Sequence, residues 1–218
     1  MKKDFWLERW ERKEIGFHQD EINPWLREFW LQAGLAHDSL VFVPLCGKSR
    51  DMLWLREQGH AVLGIELSPT AVEAFFKENS LAPQRSSDGR FDSHEADDIR
   101  IVCGDFFDLN QADLAQVSAV YDRAALIALP PEMRPAYVRH LVSILPPEVQ
   151  MLLITLDYPQ AEMAGPPFAV PVQEVEKLWG DHAAIRLLGQ ADVLAQNPHL
   201  QQRGLSRLQE SVFSLTLR

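Results

Sequence analysis

Glycines, carboxylates and one arginine follow apolar segments of this chain, and these residue types commonly bind small polar ligands. Residues 40–51 read Leu-Val-Phe-Val-Pro-Leu-Cys-Gly-Lys-Ser-Arg-Asp. The apolar run at 40–43 predicts a strand buried on both faces of a parallel sheet, and Pro44 ends its hydrogen-bond ladder because it has no N–H. Gly47 permits a sharp turn close to a ligand, and Ser49 is the expected N-cap of the following helix. The pattern predicts a strand, a tight loop and a helix.

The second apolar run, residues 61–66, ends in the carboxylate of Glu66. This acid lies about 20 residues beyond the first loop, where Rossmann-type folds place the residue that accepts hydrogen bonds from a ribose. The spacing therefore indicates a ligand that contains a nucleoside. It does not say which one.

Strands and helices alternate along the rest of the chain. Later strands are predicted at residues 99–103, 119–123 and 151–156, and an antiparallel pair at 184–188 and 212–217 closes the sequence. Residues 81–98 predict an irregular excursion or a small edge hairpin. The alternation predicts a doubly wound α/β sheet, in which ligands bind outside the carboxyl ends of the strands.

Two further groups lie at the end of a predicted strand or directly after one. Asp105 beside Phe106 is either a helix cap with a core aromatic or a polar contact to an adenine edge, and the residue types leave both open. Asp122 and Arg123 form a structural ion pair, or Arg123 holds the carboxylate of a cofactor, since arginine presents a fixed cationic fork.

The first 35 residues are rich in aromatic side chains interleaved with charges. Asn23 followed by Pro24 predicts a helix start, as does Ser68 followed by Pro69 later in the chain. Aromatic residues at this spacing indicate either core packing or a lid over a flat, ring-containing ligand.

Several classes of protein are disfavoured by missing patterns. Gly47, Lys48 and Ser49 resemble the end of a P-loop, but Phe42 stands where that motif needs glycine. The absence of G-x-G-x-x-G makes a nicotinamide-dependent oxidoreductase the second choice. No G-x-S-x-G elbow, no H-x-x-x-H spacing and no C-x-x-C appear, so we expect neither a serine hydrolase nor a metal site.

Composition and net charge limit the classes of binding partner that we expect. The 218 residues carry a net charge of -10 and are 46% hydrophobic. We expect no nucleic-acid or membrane partner, because an acidic chain repels both and no apolar run reaches the length of a membrane span. The N-terminus lacks a signal-peptide core, so a cytoplasmic protein is expected. Cys46 and Cys103 are predicted to lie too far apart for a disulfide.

Five motifs together resemble the bacterial form of the thiopurine S-methyltransferase family. They are Phe-Val-Pro-Leu-Cys-Gly-Lys at 42–48, Gly-Ile-Glu-Leu-Ser at 64–68, Cys-Gly-Asp-Phe-Phe at 103–107, Tyr-Asp-Arg-Ala at 121–124, and Gly-Pro-Pro-Phe at 165–168 followed by Val-Pro at 170–171. The resemblance covers nearly the whole chain. It implies a class I methyltransferase that uses S-adenosyl-L-methionine, with a mostly parallel, Rossmann-like sheet of seven strands, of which a C-terminal strand is antiparallel. It implies a single domain over 1–218, with an N-terminal helical lid at 1–35 and a core at 36–218.

The resemblance also assigns residues. Trp10, Leu45, Glu66 and Arg123 match cofactor contacts, and Asp105 and Phe106 match the region beside the adenine. Phe17 matches an aromatic residue that lines the acceptor pocket, and Arg203 matches an acceptor-side cation. No residue matches a catalytic base.

The implied reaction is an in-line displacement in which the acceptor sulfur attacks the sulfonium methyl group. An aromatic or heterocyclic thiol is partly thiolate near neutral pH, so a strong general base is not required. The expected partner is a small-molecule thiol, or a selenium or tellurium compound, and the expected oligomeric state is a monomer. A non-catalytic module that binds S-adenosylmethionine remains an alternative.

Overall fold

A computed structural model describes residues 3–15, 18, 19, 21–33 and 35–218 of the chain. The α-helices are α1 (Lys3–Glu11), α2 (Pro24–Phe29), α3 (Asp51–Glu57), α4 (Pro69–Glu78), α5 (Ala125–Ala128), α6 (Arg134–Ile144), α7 (Val172–Trp179) and α8 (Pro198–Gln202). The strands are β1 (Leu40–Val43), β2 (Ala61–Glu66), β3 (Gln84–Ser87), β4 (Asp92–Ala96), β5 (Ile99–Cys103), β6 (Val117–Asp122), β7 (Gln150–Asp157), β8 (Ala183–Asp192) and β9 (Gln209–Leu217). None of the described helices is long and apolar enough to cross a bilayer.

The chain divides into two compact units. The first contains Met1–Tyr121 with Ile144–Pro146, and the second contains Asp122–Ser143 with Pro147–Arg218.

The first unit is built on parallel strands. Its strands lie in the order β3, β4, β5, β2, β1, β6. The last four of these run parallel to one another, and β3 and β4 form an antiparallel hairpin on the outer edge of β5. The apolar runs of β1 and β2 are buried almost completely, which explains why they contain so few polar residues. Their carboxyl ends lie side by side.

The second unit carries the closing antiparallel strands. Its strands lie in the order β7, β9, β8, so that the final strand enters between the two earlier ones and runs antiparallel to both. A cluster of buried apolar residues, from Tyr158 and Met163 to Leu208, packs the segments that follow β7 and β8. The predicted α/β fold, mostly parallel with a C-terminal antiparallel strand, is confirmed.

The edge hairpin raises the strand count of the described residues to nine, two more than the seven expected. Residues 81–98, for which we expected either an irregular excursion or a hairpin, therefore contain the hairpin. Whether the whole chain behaves as the predicted single domain stays a prediction.

Two of the three predicted helix N-caps are confirmed. The side chain of Asn23 accepts hydrogen bonds from the backbone of Trp25 and Leu26, and Ser68 Oγ accepts one from Ala71. The prediction for Ser49 is wrong: α3 begins at Asp51 with Arg50 in the N-cap position, and Ser49 Oγ accepts the N–H of Asp51 at 3.3 Å. The loop after β1 is therefore longer than expected.

Candidate functional site

The carboxylate of Glu66 lies at the carboxyl end of β2 and binds the loop that follows β1. Its Oε2 accepts the backbone N–H of Gly47 at 2.9 Å, and its Oε1 accepts that of Ser68 at 2.8 Å. The loop is also bound to β2, because Cys46 N donates a hydrogen bond to Ile65 O at 3.0 Å. These bonds place an acid, a glycine turn and a helix N-cap within one small region.

Burial sets the electrostatics of this region. Only 7% of Glu66 is exposed, and this burial raises the pKa of its carboxyl group, an effect that hydrogen bonds from the Ser68 and Gly47 amides partly offset. Burial, and then the nearby Glu66 charge, raises the pKa of the Cys103 thiol to about 11 and that of the Cys46 thiol well above its ordinary value. Both cysteines are free thiols, as predicted, and both are protonated at neutral pH.

Trp10, a residue of α1, packs against the loop that follows β1. It is the buried residue of that helix, with 5% of its surface exposed. A Cβ atom at Gly47 would lie 3.2 Å from Trp10 Cζ2, so the indole ring lies directly against the glycine. Gly47 has φ +54°, and the half-buried Leu45 has φ 48°, so two left-handed residues shape the turn beneath the ring. Such a conformation strains leucine and is most often retained where a loop meets a ligand.

Asp105 and Phe106 follow β5 on the other side of β2. Asp105 Oδ1 accepts the backbone N–H of Phe107 at 2.9 Å, and its Oδ2 pairs with Lys3 Nζ at 2.6 Å. Phe106 is buried. The interpretation of Asp105 as a cap beside a core aromatic is confirmed, and its contact with an adenine edge stays a prediction. α1 therefore contacts two loops, with Lys3 on the loop after β5 and Trp10 on the loop after β1.

Two of the three remaining predicted residues lie in the second unit. Arg123 belongs to the second unit, where it is half-buried and immediately follows β6. Arg203 lies just after α8 in the same unit, is exposed, and has no ion pair with another described residue. Burial raises the pKa of Tyr158, and the Gln160 side chain, the Ala169 amide and the charges of Arg134 and Arg203 oppose this rise. Phe17 lies outside the described residues.

The donors and acceptors of this region fit a nucleoside. The backbone amides of Ser68, Gly47 and Leu67 meet the Glu66 carboxylate, whose two oxygens offer about four acceptor positions, so room remains for a hydroxyl of a vicinal diol. The raised pKa of Glu66 means that additional hydrogen-bond donors would stabilise its charged form. The glycine turn and the indole face supply an apolar surface beside this acid.

Sequence reasoning missed two side chains that shape the site. Lys3 pairs with Asp105, although nothing in the sequence connects two residues that lie in different elements. Asp51, the first residue of α3, is fully buried and accepts the backbone N–H of Asn23 and the hydroxyl of Tyr121. An acid in the first turn of a helix is common on protein surfaces, so its type and position gave no signal of burial.

Solved structures share this fold across nearly the whole chain. The 1,6-didemethyltoxoflavin-N1-methyltransferase of Burkholderia thailandensis, solved with S-adenosylhomocysteine, superposes with a TM-score of 0.65 at 15% identity, covering 99% of this chain and 86% of that one. An S-adenosylmethionine-dependent methyltransferase of Anabaena variabilis superposes with a TM-score of 0.64 at 14% identity, covering 99% and 95%. The fold is that of the S-adenosylmethionine-dependent methyltransferases.

Sequence comparison gives the family. The model of the thiopurine S-methyltransferase family matches residues 1–218. A thiopurine S-methyltransferase of Nitrosospira multiformis is 62% identical over 218 residues, covering 100% of this chain and 99% of its own. One of Azotobacter vinelandii is 52% identical over 218 residues, with both chains fully covered. The chain belongs to the thiopurine S-methyltransferase family.

Proposed function

We propose that this protein is an S-adenosylmethionine-dependent methyltransferase that methylates the sulfur of thiopurines and of other aromatic or heterocyclic thiols. The observation that carries the proposal is the buried Glu66 carboxylate, bonded to the Gly47 amide beneath the ring of Trp10. Membership of a methyltransferase family supports the same conclusion and argues against a nicotinamide-dependent oxidoreductase.

Six residues are proposed as donor contacts. Glu66 accepts the ribose hydroxyls, and Asp105 with Phe106 borders the adenine. Trp10 and Leu45 pack against the rest of the ligand, and Trp10 attracts its positive charge because aromatic faces favour cations. Arg123 binds its carboxylate end. Bound S-adenosylmethionine supplies an electrophilic methyl group.

The acceptor side is proposed to include Phe17 and Arg203. No side chain is proposed as a catalytic base, since an aromatic thiol loses its proton readily to solvent. The contribution of the protein is then to hold the acceptor sulfur in line and to exclude water, which the aromatic N-terminal segment supports. Arg203, exposed and with no ion pair among the described residues, is suited to an acceptor that carries negative charge.

The acceptor range and the setting are also proposals. Selenium and tellurium compounds are included because their anions are soft nucleophiles like thiolates. The free thiols Cys46 and Cys103 are consistent with a reducing compartment, which supports the cytoplasm. The net charge of -10 supports small-molecule partners rather than nucleic acid, and the working hypothesis for the assembly is a monomer.

The first test is a methyl-transfer assay with labelled S-adenosylmethionine. The acceptors are 6-mercaptopurine, a simple aryl thiol and a selenite-derived species, and the matched control is hypoxanthine, which carries oxygen in place of the sulfur. Binding of S-adenosylhomocysteine is measured in parallel by calorimetry. We expect transfer to 6-mercaptopurine and not to hypoxanthine.

Each other outcome has a distinct meaning. Binding without transfer to any acceptor would favour a non-catalytic binding module. Transfer to the selenium species alone would indicate that the natural acceptor is a selenium compound and not a thiol. A failure to bind S-adenosylhomocysteine would overturn the proposal.

A further inference from the structure

The buried carboxylate of Asp51 joins three parts of the first unit. None of its surface is exposed, and it is the first residue of α3. Its Oδ1 accepts the backbone N–H of Asn23 at 2.9 Å, and its Oδ2 accepts the hydroxyl of Tyr121 at 2.9 Å. One side chain thus connects segments that lie 28 and 70 residues from it in the sequence.

Each of these segments leads to residues of the proposed site. Asn23 is the N-cap of α2, in the N-terminal aromatic segment. α3 directly follows the loop that carries Leu45 and Gly47. Tyr121 is the second-to-last residue of β6, two positions before Arg123. The Asp51 carboxylate therefore holds three segments at fixed positions relative to one another, and each segment lies next to residues of the proposed site.

Aromatic packing makes the link rigid. The ring of Tyr121 meets that of Trp30 edge to face, with centroids 6.2 Å apart, and Trp30 meets the ring of His60 at 5.8 Å. All three residues are at most 5% exposed. The end of the α2 segment is thus held by the same tyrosine that Asp51 binds.

The choice of a carboxylate at this position needs an explanation beyond stability. A buried charge loses its hydration, and a well-packed apolar side chain can hold the same elements without that cost. A carboxylate adds direction, because its two oxygens fix the first turn of α2 and the hydroxyl of Tyr121 at set angles. Such directional hydrogen bonds matter most near a site where reacting atoms must be aligned.

We propose that Asp51 is a positioning residue for methyl transfer, which holds the N-terminal segment at a fixed place relative to the donor loop and the end of β6. The inference rests on the proposed function, in which an acceptor sulfur and a donor methyl group must lie in line. A displacement of about 1 Å at a reacting centre can lower a rate by about 100-fold. Loss of the link is therefore expected to lower kcat while leaving donor affinity nearly unchanged.

The test compares Tyr121→Phe and Asp51→Asn with a matched control. Tyr121→Phe removes one hydrogen bond and keeps the ring, and Asp51→Asn keeps the volume and removes the charge. The control is Val117→Ala, at the opposite end of β6, where a 3% exposed side chain is truncated. We expect both test variants to lower kcat by about tenfold or more, with S-adenosylhomocysteine affinity within about twofold of wild type. Val117→Ala should lower thermal stability and keep kcat within about twofold.

Hydrogen exchange gives a readout that does not depend on activity. The amides of residues 25–30 should exchange faster in both test variants than in wild type and in Val117→Ala, because the anchor of the Asn23 cap is weakened. Unchanged kcat in both test variants, or an equal loss of kcat in Val117→Ala, would overturn the positioning role. If wild type methylates no thiol, the proposed function fails, while faster exchange still supports the link and unchanged exchange overturns it.

Discussion

At the scale of single residues, the proposed donor site depends on an acid that is buried without an ion pair to a described arginine or lysine. This acid is Glu66, and backbone amides rather than an arginine or a lysine meet its two oxygens. Amide donors leave the carboxylate with acceptor positions to spare, whereas a bidentate arginine would occupy them. The same environment raises its pKa, so a ligand that donates hydrogen bonds gains from stabilising the charged form.

Replacement of Glu66 by glutamine tests this argument. A glutamine amide can accept from only one of the two backbone N–H groups, and its nitrogen would face the other donor. We expect S-adenosylhomocysteine affinity to fall by about 10- to 100-fold, the scale of about 1–3 kcal/mol for a lost charged hydrogen-bond partner. Calorimetry measures this loss, and Glu73→Gln, the same change on the exposed face of α4, is the control. Full affinity in Glu66→Gln would mean that the ribose is held elsewhere.

The sequence predicted some residues of the site better than others. Glu66 could be found because an acid that closes the second apolar run has a defined place in this kind of sheet. Asp51 could not be found, since its partners are a backbone amide and a hydroxyl that only the folded chain brings near. Lys3 was missed for the same reason. Contacts between distant elements carry no local pattern.

At the scale of elements, α1 is the part of the first unit that closes over the loops. Its two contacts differ in strength. The pair of Lys3 with Asp105 involves a lysine side chain that is 60% exposed, and exposed ion pairs contribute little. Trp10 is buried, and its indole ring lies against Gly47 in the loop after β1. The position of α1 is therefore expected to depend on the absence of a side chain at Gly47.

The variant Gly47→Ala tests how this closure depends on the turn. The new Cβ would lie 3.2 Å from the indole and would displace Trp10, so we expect a drop of about tenfold or more in S-adenosylhomocysteine affinity. Alanine at a positive φ also costs stability by itself, about 1 kcal/mol. Gly89→Ala controls for this cost, because Gly89 has φ +82° and open space around it. Equal donor affinity in the two variants would contradict the predicted role of α1.

The elements themselves were predicted best where they are buried. β1, β2 and β5 agree with their predicted bounds to the residue, since each is a short apolar run between turn residues. β8 extends from Ala183 to Asp192, beyond the predicted 184–188, because most of its later residues are not buried and carry no apolar signal. The edge strand β3 is fully exposed and entirely polar, so sequence could offer the hairpin only as an alternative.

At the scale of the whole molecule, buried acids make the free energy of unfolding depend on pH. Asp122 is the clearest case, with no exposed surface. Burial raises its pKa to about 6, although the hydroxyl of Tyr137 at 2.7 Å and the amides of Leu126 and Ala125 lower it in part. The folded protein therefore binds this proton more tightly than the unfolded chain. As pH rises from about 4 to about 6, the unfolded chain releases this proton while the folded protein still holds it, so the free energy of unfolding falls. Above about pH 6 the free energy falls no further through this group.

The variant Asp122→Asn should isolate this contribution. Its amide oxygen can still accept the N–H groups of Ala125 and Leu126, and its nitrogen can donate to Tyr137. A pKa raised by about two units corresponds to about 3 kcal/mol, so this is the upper limit of the stabilisation expected at pH 7. The difference in unfolding free energy between variant and wild type should shrink as pH falls from 7 towards 4, as measured by denaturant titration at each pH. Asp88→Asn is the control, because the Phe91 and Arg90 amides lower the pKa of Asp88 and keep it ionised between pH 5 and 7. A difference for Asp122→Asn that does not change with pH would show that Asp122 ionises equally in the folded and unfolded states.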